Sequence, residues 1–479
     1  MSLPPFTVEQ AFVERLLHPS PSDAHPCRAV SRQLLILEDF ERHLPISFVD
    51  LSRRVTAQSN LNHLLPHIVA LDVQCESSHC LLAAVHWIVG LGPSLTSLSL
   101  RLPGGATGEV QASTLRAIRG RVPYLQHLEI EADLRGLTEG QALDLALQVV
   151  AFCDDLKGLM ALSLPVEILE AAWQVHPQAV AGLPMLQELS LKTKSRTALS
   201  RRPPARAGGL NSLHTLRISA PMYQCADVVR TTSKNIKRLA IRSEFPEDAH
   251  VIAGTLRAIT NFCSTTAPSN AFSGAPSSKA HAMSPANMNT LFSPRGIPTP
   301  VLLSSLTDIE LTFLQGSPDG ARLSTFAPLM SAHALCRLSI RHPYALSYTM
   351  DDLADMMGSW HSIQSLSLNP RPSSGVVNLS ATPSLAVLSV VARCGPCLRD
   401  FHALLEGFGT SRPLPEHTWA PNLRTLDMGY SLGASRGEDM METASYIRSL
   451  FRTVDIETED CSDWVVKVAG VFGETTYSA

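Results

Sequence analysis

The sequence has no excess of charge of either sign, no long apolar run and no regular cysteine framework. Its 39 basic and 43 acidic residues leave a net charge of -4, which is too weak a field to attract nucleic acid or an anionic membrane. The longest apolar stretch, "CLLAAVHWIVG" from Cys80, is shorter than the roughly 20 residues that span a bilayer. Ten scattered cysteines are typical of reduced intracellular proteins. Because "MSLPPFTVEQ" shows no secretory signal, we expect a cytoplasmic or nuclear protein that binds neither nucleic acid nor membrane.

Short catalytic motifs are also lacking. The sequence contains no G-x-x-x-x-G-K-S/T phosphate loop, no G-x-S-x-G elbow and no H-E-x-x-H helix. Cys75, His79 and Cys80 are close enough in sequence to hold a metal, but no second pair follows at zinc-finger spacing. We therefore expect no enzyme activity, no catalytic residues, no cofactor and no metal.

What the sequence does contain is a repeated triplet, apolar-x-x-apolar-x-apolar. One strand with its return segment cannot bury its own apolar face, so such repeats predict a stack of similar units. The thirteen copies begin at Ile68, Leu95, Leu125, Leu159, Leu186, Leu213, Ile236, Leu306, Leu335, Ile363, Leu385, Leu423 and Phe451.

The segments between the triplets predict helices. "ALDLALQVVAFC", "HVIAGTLRAI", "DDLADMMGSW" and "FHALLEGF" all place apolar residues three and four apart. Strands that alternate with helices predict an α/β solenoid with a parallel inner sheet and a mostly helical outer face.

The triplets resemble those of leucine-rich-repeat proteins, over about residues 64–458. The resemblance implies two blocks of repeats, 64–263 and 301–479, the second of which includes a C-terminal cap. Between them, residues 264–300 are rich in Ser, Pro, Ala, Gly and Asn, which predicts a disordered insertion that breaks the stack. Residues 1–63 form an all-helical N-terminal segment in this prediction.

Residues between the apolar positions of each triplet are expected to face the inner, solvent-exposed side of the sheet. An arginine stripe interrupted by Asp308 and Glu310 lies there. Paired arginines suit an acidic or phosphorylated peptide, whereas a solvated face without a ligand is the alternative. The predicted partner-binding residues are Lys192, Arg217, Arg238, Arg242, Arg337 and Arg341.

The N-terminal segment resembles an F-box, the helical motif that attaches receptors to ubiquitin ligases. Asp23, Val30, Ser31 and Arg32 match the family pattern D-L-x-x-x-x-x-V-S-R-x-W, whereas its tryptophan is replaced by Leu34. The resemblance implies a substrate receptor of a cullin-RING ligase that binds a Skp-type adaptor and does no chemistry itself. The adaptor-binding residues in this hypothesis are Phe12, Leu16, Leu17, Val30 and Leu34. The alternative is a repeat scaffold without a ligase role, in which these helices only cap the first repeat.

A third hypothesis rests on "CGPC" at Cys394 to Cys397, which resembles the active-site tetrapeptide of thioredoxin-like oxidoreductases. The strand-like "LAVLSVVAR" precedes it and the helix-like "LRDFHALLEGF" follows, so Cys394 is expected at a helix N-terminus, where a thiolate is stabilised. The rest of that fold is missing, and Arg393 replaces the tryptophan usual in that family.

Overall fold

The computed structural model describes Ile46–Ser47 and most of residues 69–476. The longest stretches outside the described residues are 1–45, 48–68, 194–209, 262–304 and 407–421. The chain divides into two compact units, the first comprising Met1–Thr193 with Thr197–Ser212 and the second Lys194–Arg196 with Leu213–Ala479.

The first unit is an α/β stack in which each strand pairs in parallel with the next one in the sequence. Its strands are β1 (Ile46–Ser47), β2 (Ala70–Gln74), β3 (Ser97–Leu102), β4 (His127–Ala132), β5 (Ala161–Pro165) and β6 (Glu188–Lys192). Its helices include α1 (Gly108–Ile118), α2 (Glu139–Asp155) and α3 (Val166–Val175).

The second unit repeats this arrangement, again with every strand parallel to its sequence neighbour. Its strands are β7 (Thr215–Ser219), β8 (Arg238–Glu247), β9 (Asp308–Gly316), β10 (Arg337–Arg341), β11 (Ser365–Leu368), β12 (Asp400–Ala403), β13 (Thr425–Asp427) and β14 (Asp455–Glu457). Its helices include α4 (Met222–Thr232), α5 (Ala249–Asn261), α6 (Met350–Ser359), α7 (Val387–Cys394), α8 (Gly437–Leu450), α9 (Asp463–Thr476) and a 3₁₀ helix (Leu323–Ser331). Both units are therefore solenoid-like, as predicted.

One backbone carbonyl in each repeat joins it to the next repeat. The carbonyl of Thr96 accepts hydrogen bonds from the amides of Gln126 and His127, and each such carbonyl directly follows the first apolar residue of its triplet. The same paired bonds recur at the carbonyls of Val69, Gln126, Met160, His214, Lys237, Thr307, Cys336, Gln364 and Arg399. We call this series the repeat ladder. It satisfies backbone groups at the start of each strand, where the chain bends into the sheet.

The apolar triplet positions fill the core, as predicted. Leu98, Leu100, Leu128 and Ile130 are all 2% exposed or less, whereas the residues between them on β3 and β4 are partly exposed. Helix α2 adds Phe152 and other buried apolar side chains.

The triplet predicted at Leu385 is not a strand, so that prediction was wrong. Residues Val387–Cys394 form α7, because the apolar residues of "VLSVVA" also have helical spacing. The strand of this repeat is β12, where Leu398, Phe401 and Ala403 are completely buried. The third position of this triplet is the small Ala403, so the triplet is not recognised in the sequence. The segment "FHALLEGF", predicted as a helix, begins in this strand.

The insertion at 264–300 lies outside the described residues, but the strands on either side of it are described. Strands β8 and β9 pair directly, with Arg238 opposite Asp308 and Ile241 opposite Leu311. The prediction that the insertion breaks the stack was therefore wrong.

The N-terminal segment, residues 1–63, is described only at Ile46–Ser47. These residues form β1, which pairs with β2 with Ile46 opposite Leu71, so the prediction of an all-helical segment was wrong at that point. Among the described helices, none is both long and apolar enough to cross a membrane.

Candidate partner-binding face of the second unit

A single row of side chains crosses the solvent-facing side of the second unit. Neighbouring strands are parallel and in register, so one residue from each strand falls in the row. In strand order, the row contains Arg217, Ala240, Glu310, Ser339, Ser367, His402, Asp427 and Glu457. The sheet thus brings together residues that are up to 240 positions apart in the sequence.

A cavity of about 690 Å³ opens on this face. The row lines it together with residues from the two adjacent rows, and small side chains such as Ser339, Ser365 and Ser367 occupy its middle. Four of the predicted partner-binding residues line it, namely Arg217, Arg238, Arg337 and Arg341.

The arginine end of the cavity is only partly neutralised. Arg337 Nε lies 3.5 Å from Asp308 Oδ1, and both side chains retain solvent access. Arg238 and Arg341 make no ion pair with any residue in the described part of the chain. Two guanidinium groups in a cavity are therefore available to bind an anion in a bidentate manner.

The opposite end of the cavity is built around the buried carboxylate of Asp427. His402 Nδ1 and Arg371 Nη1 each lie 3.3 Å from its Oδ2 atom, and the Gly429 amide donates to Oδ1 over 2.8 Å. Burial alone raises the pKa of Asp427, but the hydrogen bonds from His402 and Gly429 and the charge of Arg371 outweigh it, so the pKa lies below the ordinary 3.8. Asp427 is therefore ionised at neutral pH. The carboxylate of Glu457 lies 3.7 Å from His402 Nδ1.

Gly429 allows Arg371 to approach this carboxylate. Its φ is +51°, and a Cβ atom there would collide with the carbonyl oxygen of Pro370. That carbonyl accepts a hydrogen bond from the Tyr430 amide over 3.1 Å. The turn after β13 thus fixes the segment that carries Arg371.

His402, Asp427 and Glu457 also form a possible set of metal ligands, since their donor atoms lie within 4.8 Å of one another. One imidazole and two carboxylates suit a divalent transition metal. The Arg371 guanidinium, however, lies on the same Asp427 oxygen that a metal ion would use. The buried charge is therefore already balanced by a protein cation.

The two other predicted partner-binding residues lie elsewhere. Lys192 belongs to the first unit, where its Nζ atom lies 2.5 Å from Glu129 and 3.4 Å from Glu131. Burial lowers the pKa of Lys192. The hydrogen bonds and charges of the two carboxylates raise the pKa by more than burial lowers it, so the net shift is upward. Arg242 is on β8 beside Glu244, at 3.6 Å, and does not line the cavity.

The predicted adaptor-binding residues Phe12, Leu16, Leu17, Val30 and Leu34 lie outside the described residues, as do Cys75, His79 and Cys80.

The setting predicted for "CGPC" was wrong. Cys394 is the last residue of α7, and a strand follows instead of a helix. A helix C-terminus disfavours a thiolate. Cys397 is exposed and Cys394 is partly exposed, and neither forms a disulfide.

Sequence reasoning missed Arg371, His402, Asp427 and Glu457. Asp427 follows Leu426, the middle apolar residue of a predicted triplet, so alternation could have placed it on the solvent-facing side. His402 was hidden by the wrong helix prediction. Arg371 lies after β11, where no repeat pattern applies.

Comparison with known proteins gives little further information. No protein-family model matches the chain, and no curated protein matches it. Among solved structures, a chain of the crystal structure of the yeast Rad7 and Elc1 complex aligns with 11% sequence identity and a TM-score of 0.33. The alignment covers 83% of this chain and 72% of that one. A similarity at this level carries no argument about function.

Proposed function

We propose that this chain is a protein-binding receptor of the leucine-rich-repeat type, and that the cavity of the second unit binds an acidic segment of its partner. The observation that carries the proposal is the presence of Arg238 and Arg341 in this cavity without an ion-pair partner among the described residues. Arg217 and Arg337 lie in the same cavity and add positive charge.

The cavity gathers several guanidinium groups around one concave space. Arg238 and Arg341 are exposed, as Arg242 is, but Arg238 and Arg341 line the cavity and Arg242 does not. A carboxylate or phosphate can form two parallel hydrogen bonds with a guanidinium. A single exposed ion pair contributes only about 0–1 kcal/mol, so the grouping of positive charges is what favours the cavity over Arg242.

The test is fluorescence anisotropy with a labelled peptide that carries one phosphoserine among serine and alanine residues. Replacing Arg238 and Arg341 with glutamate should weaken binding by about tenfold or more per arginine. Arg257→Glu is the matched control, because Arg257 is exposed on α5 and does not line the cavity. Absence of binding by the unaltered chain at low salt would overturn the proposal.

We further propose that the receptor acts in a cullin-RING ubiquitin ligase and does no chemistry itself. The support is the F-box resemblance of the N-terminal segment, above all Asp23, Val30, Ser31 and Arg32. In this proposal, apolar residues of that segment bind a Skp-type adaptor in the cytoplasm or nucleus, while the repeats hold the substrate.

A pull-down with a Skp-type adaptor tests this second step. Leu16→Asp and Val30→Asp should abolish capture, whereas Leu314→Asp, at a leucine that is 45% exposed, should not. If the intact chain fails to bind the adaptor, the ligase role is overturned, and a repeat scaffold capped by the same helices remains.

A further inference from the structure

The solvent-facing side of the second unit carries mainly positive charge at one end of the sheet and negative charge at the other. On β7 to β10 it carries five arginines against three carboxylates, and on β12 to β14 it carries four carboxylates and no lysine or arginine. The first group contains Arg217, Arg238, Arg242, Arg337 and Arg341 with Glu244, Asp308 and Glu310, and the second contains Asp400, Asp427, Asp455 and Glu457. Arg371 offsets one of the four carboxylates, so the acidic end stays negative.

The separation of the two ends follows from the sheet. Neighbouring strands lie about 4.8 Å apart, so the arginines of β10 are about 14 Å from β13 and about 19 Å from β14. An extended peptide advances about 3.3–3.6 Å per residue. A segment that runs across the strands therefore reaches from one end to the other in about four to six residues.

The middle of the cavity leaves room for such a segment. Strand β11, between the two ends, contributes Ser365 and Ser367, and Ser339 of β10 lies beside them; all three side chains are short and polar. They also offer hydroxyl groups to the backbone of a bound peptide.

We propose, resting on the function proposed above, that the cavity binds an extended segment carrying one anionic and one basic side chain, about four to six residues apart. The anionic side chain is held by Arg341 on β10, the strand from which this span of four to six residues is counted. The basic side chain lies at the acidic end, where 43% of the Glu457 side chain is exposed whereas Asp427 is buried. Such a requirement for two charges at a fixed distance distinguishes this segment from any merely acidic one.

The experiment measures anisotropy with labelled synthetic peptides in buffer containing a metal chelator. One peptide has phosphoserine alone, and the others add arginine or glutamate five residues away, on either side, because the direction of the bound chain is open. Arginine on one side should strengthen binding by about tenfold, the value of one charge-assisted hydrogen bond, and glutamate should weaken it.

Glu457→Arg should reverse this preference, so that the glutamate peptide binds better than the arginine peptide. Asp355→Arg, at an exposed position of α6 outside the cavity, is the matched control and should keep the original preference. If Glu457→Arg does not fold, Glu457→Gln should remove the arginine effect without reversing it.

The outcomes separate the two proposals. Equal binding of all phosphoserine peptides, whatever the second charge, overturns this inference and leaves the anion site intact. Failure of every peptide to bind overturns the anion site itself.

Discussion

His402 Nδ1 lies 3.3 Å from Asp427 Oδ2, although the two residues are 25 positions apart in the sequence. The parallel pairing of β12 with β13 places them opposite each other. A buried carboxylate needs positive or hydrogen-bonding partners, and here it obtains them from a neighbouring strand, from its own turn and from Arg371.

Removing Arg371 should destabilise the protein and allow a metal ion to bind at Asp427. Arg371→Met leaves Asp427 buried without its cation, which we expect to cost about 2 kcal/mol in urea unfolding, the usual cost of a buried acceptor that loses a partner. Zinc should restore part of that loss, because His402, Asp427 and Glu457 then offer three donors without a competing cation. Arg424→Met, at an exposed arginine, is the control and should change stability by less than about 0.5 kcal/mol. Equal stability of Arg371→Met and the parent chain would contradict this account.

His342 should make the protein less stable in mild acid. Burial is the main cause that lowers its pKa to about 4 from an ordinary 6.5, and the Tyr344 amide donates a hydrogen bond to its Nδ1 atom. Between these pH values the unfolded chain binds a proton that the folded chain does not, so stability should fall by about 3 kcal/mol as the pH drops from 6.5 to 4. His342→Asn should flatten this part of the pH profile of urea unfolding, and the exposed His333→Asn should not. An unchanged slope in His342→Asn would show that another group is responsible.

Glu170 should have the opposite dependence on pH. Burial, together with the charge of Glu167, raises its pKa to about 8 from an ordinary 4.5. As the pH rises from 4.5 to 8, the unfolded chain loses a proton that the folded chain retains, so the contribution of Glu170 to stability declines. Glu170→Gln should therefore raise the urea midpoint at pH 8 and change it little at pH 5. The exposed Glu109→Gln serves as control, and a Glu170→Gln effect of equal size at both pH values would refute the prediction.

The cysteines should differ sharply in reactivity. Cys397 is exposed, whereas Cys153 and Cys225 are buried and burial raises the pKa of their thiols. Iodoacetamide should label Cys397 in the native protein, and should label Cys153 and Cys225 only after unfolding, as measured by mass spectrometry. Insulin reduction by the unaltered chain and by Cys394→Ser should both remain at background, because Cys394 ends a helix. Activity above background in the unaltered chain that is lost in Cys394→Ser would restore the redox hypothesis.

The sequence predicted the parallel strands well, because their signal is repeated. Leucine and isoleucine at the triplet positions of β3, β4 and β6 are spaced as a buried strand requires, and each copy supports the others. The prediction failed where a local pattern had two physical solutions. Val387, Val390 and Val391 satisfy both strand propensity and helical spacing, and in the structure they are helical while the repeat ladder runs through Arg399.

The candidate site could be predicted only in part. Arg217, Arg238, Arg337 and Arg341 follow from alternation along single strands. The grouping of Arg371 with Asp427 depends on the turn at Gly429, which comes close to Pro370. The repeat pattern of the sequence gives no sign of this contact.

The repeat ladder bears on how the chain tolerates insertions and deletions between its repeats. The ladder bonds lie at the start of the strands and the register continues from there along each strand pair, so the segment between two strands can gain or lose residues without shifting that register. The direct pairing of β8 with β9 across the long intervening stretch is one such case. We therefore expect insertions and deletions between the strands to be tolerated better than changes at the strand starts.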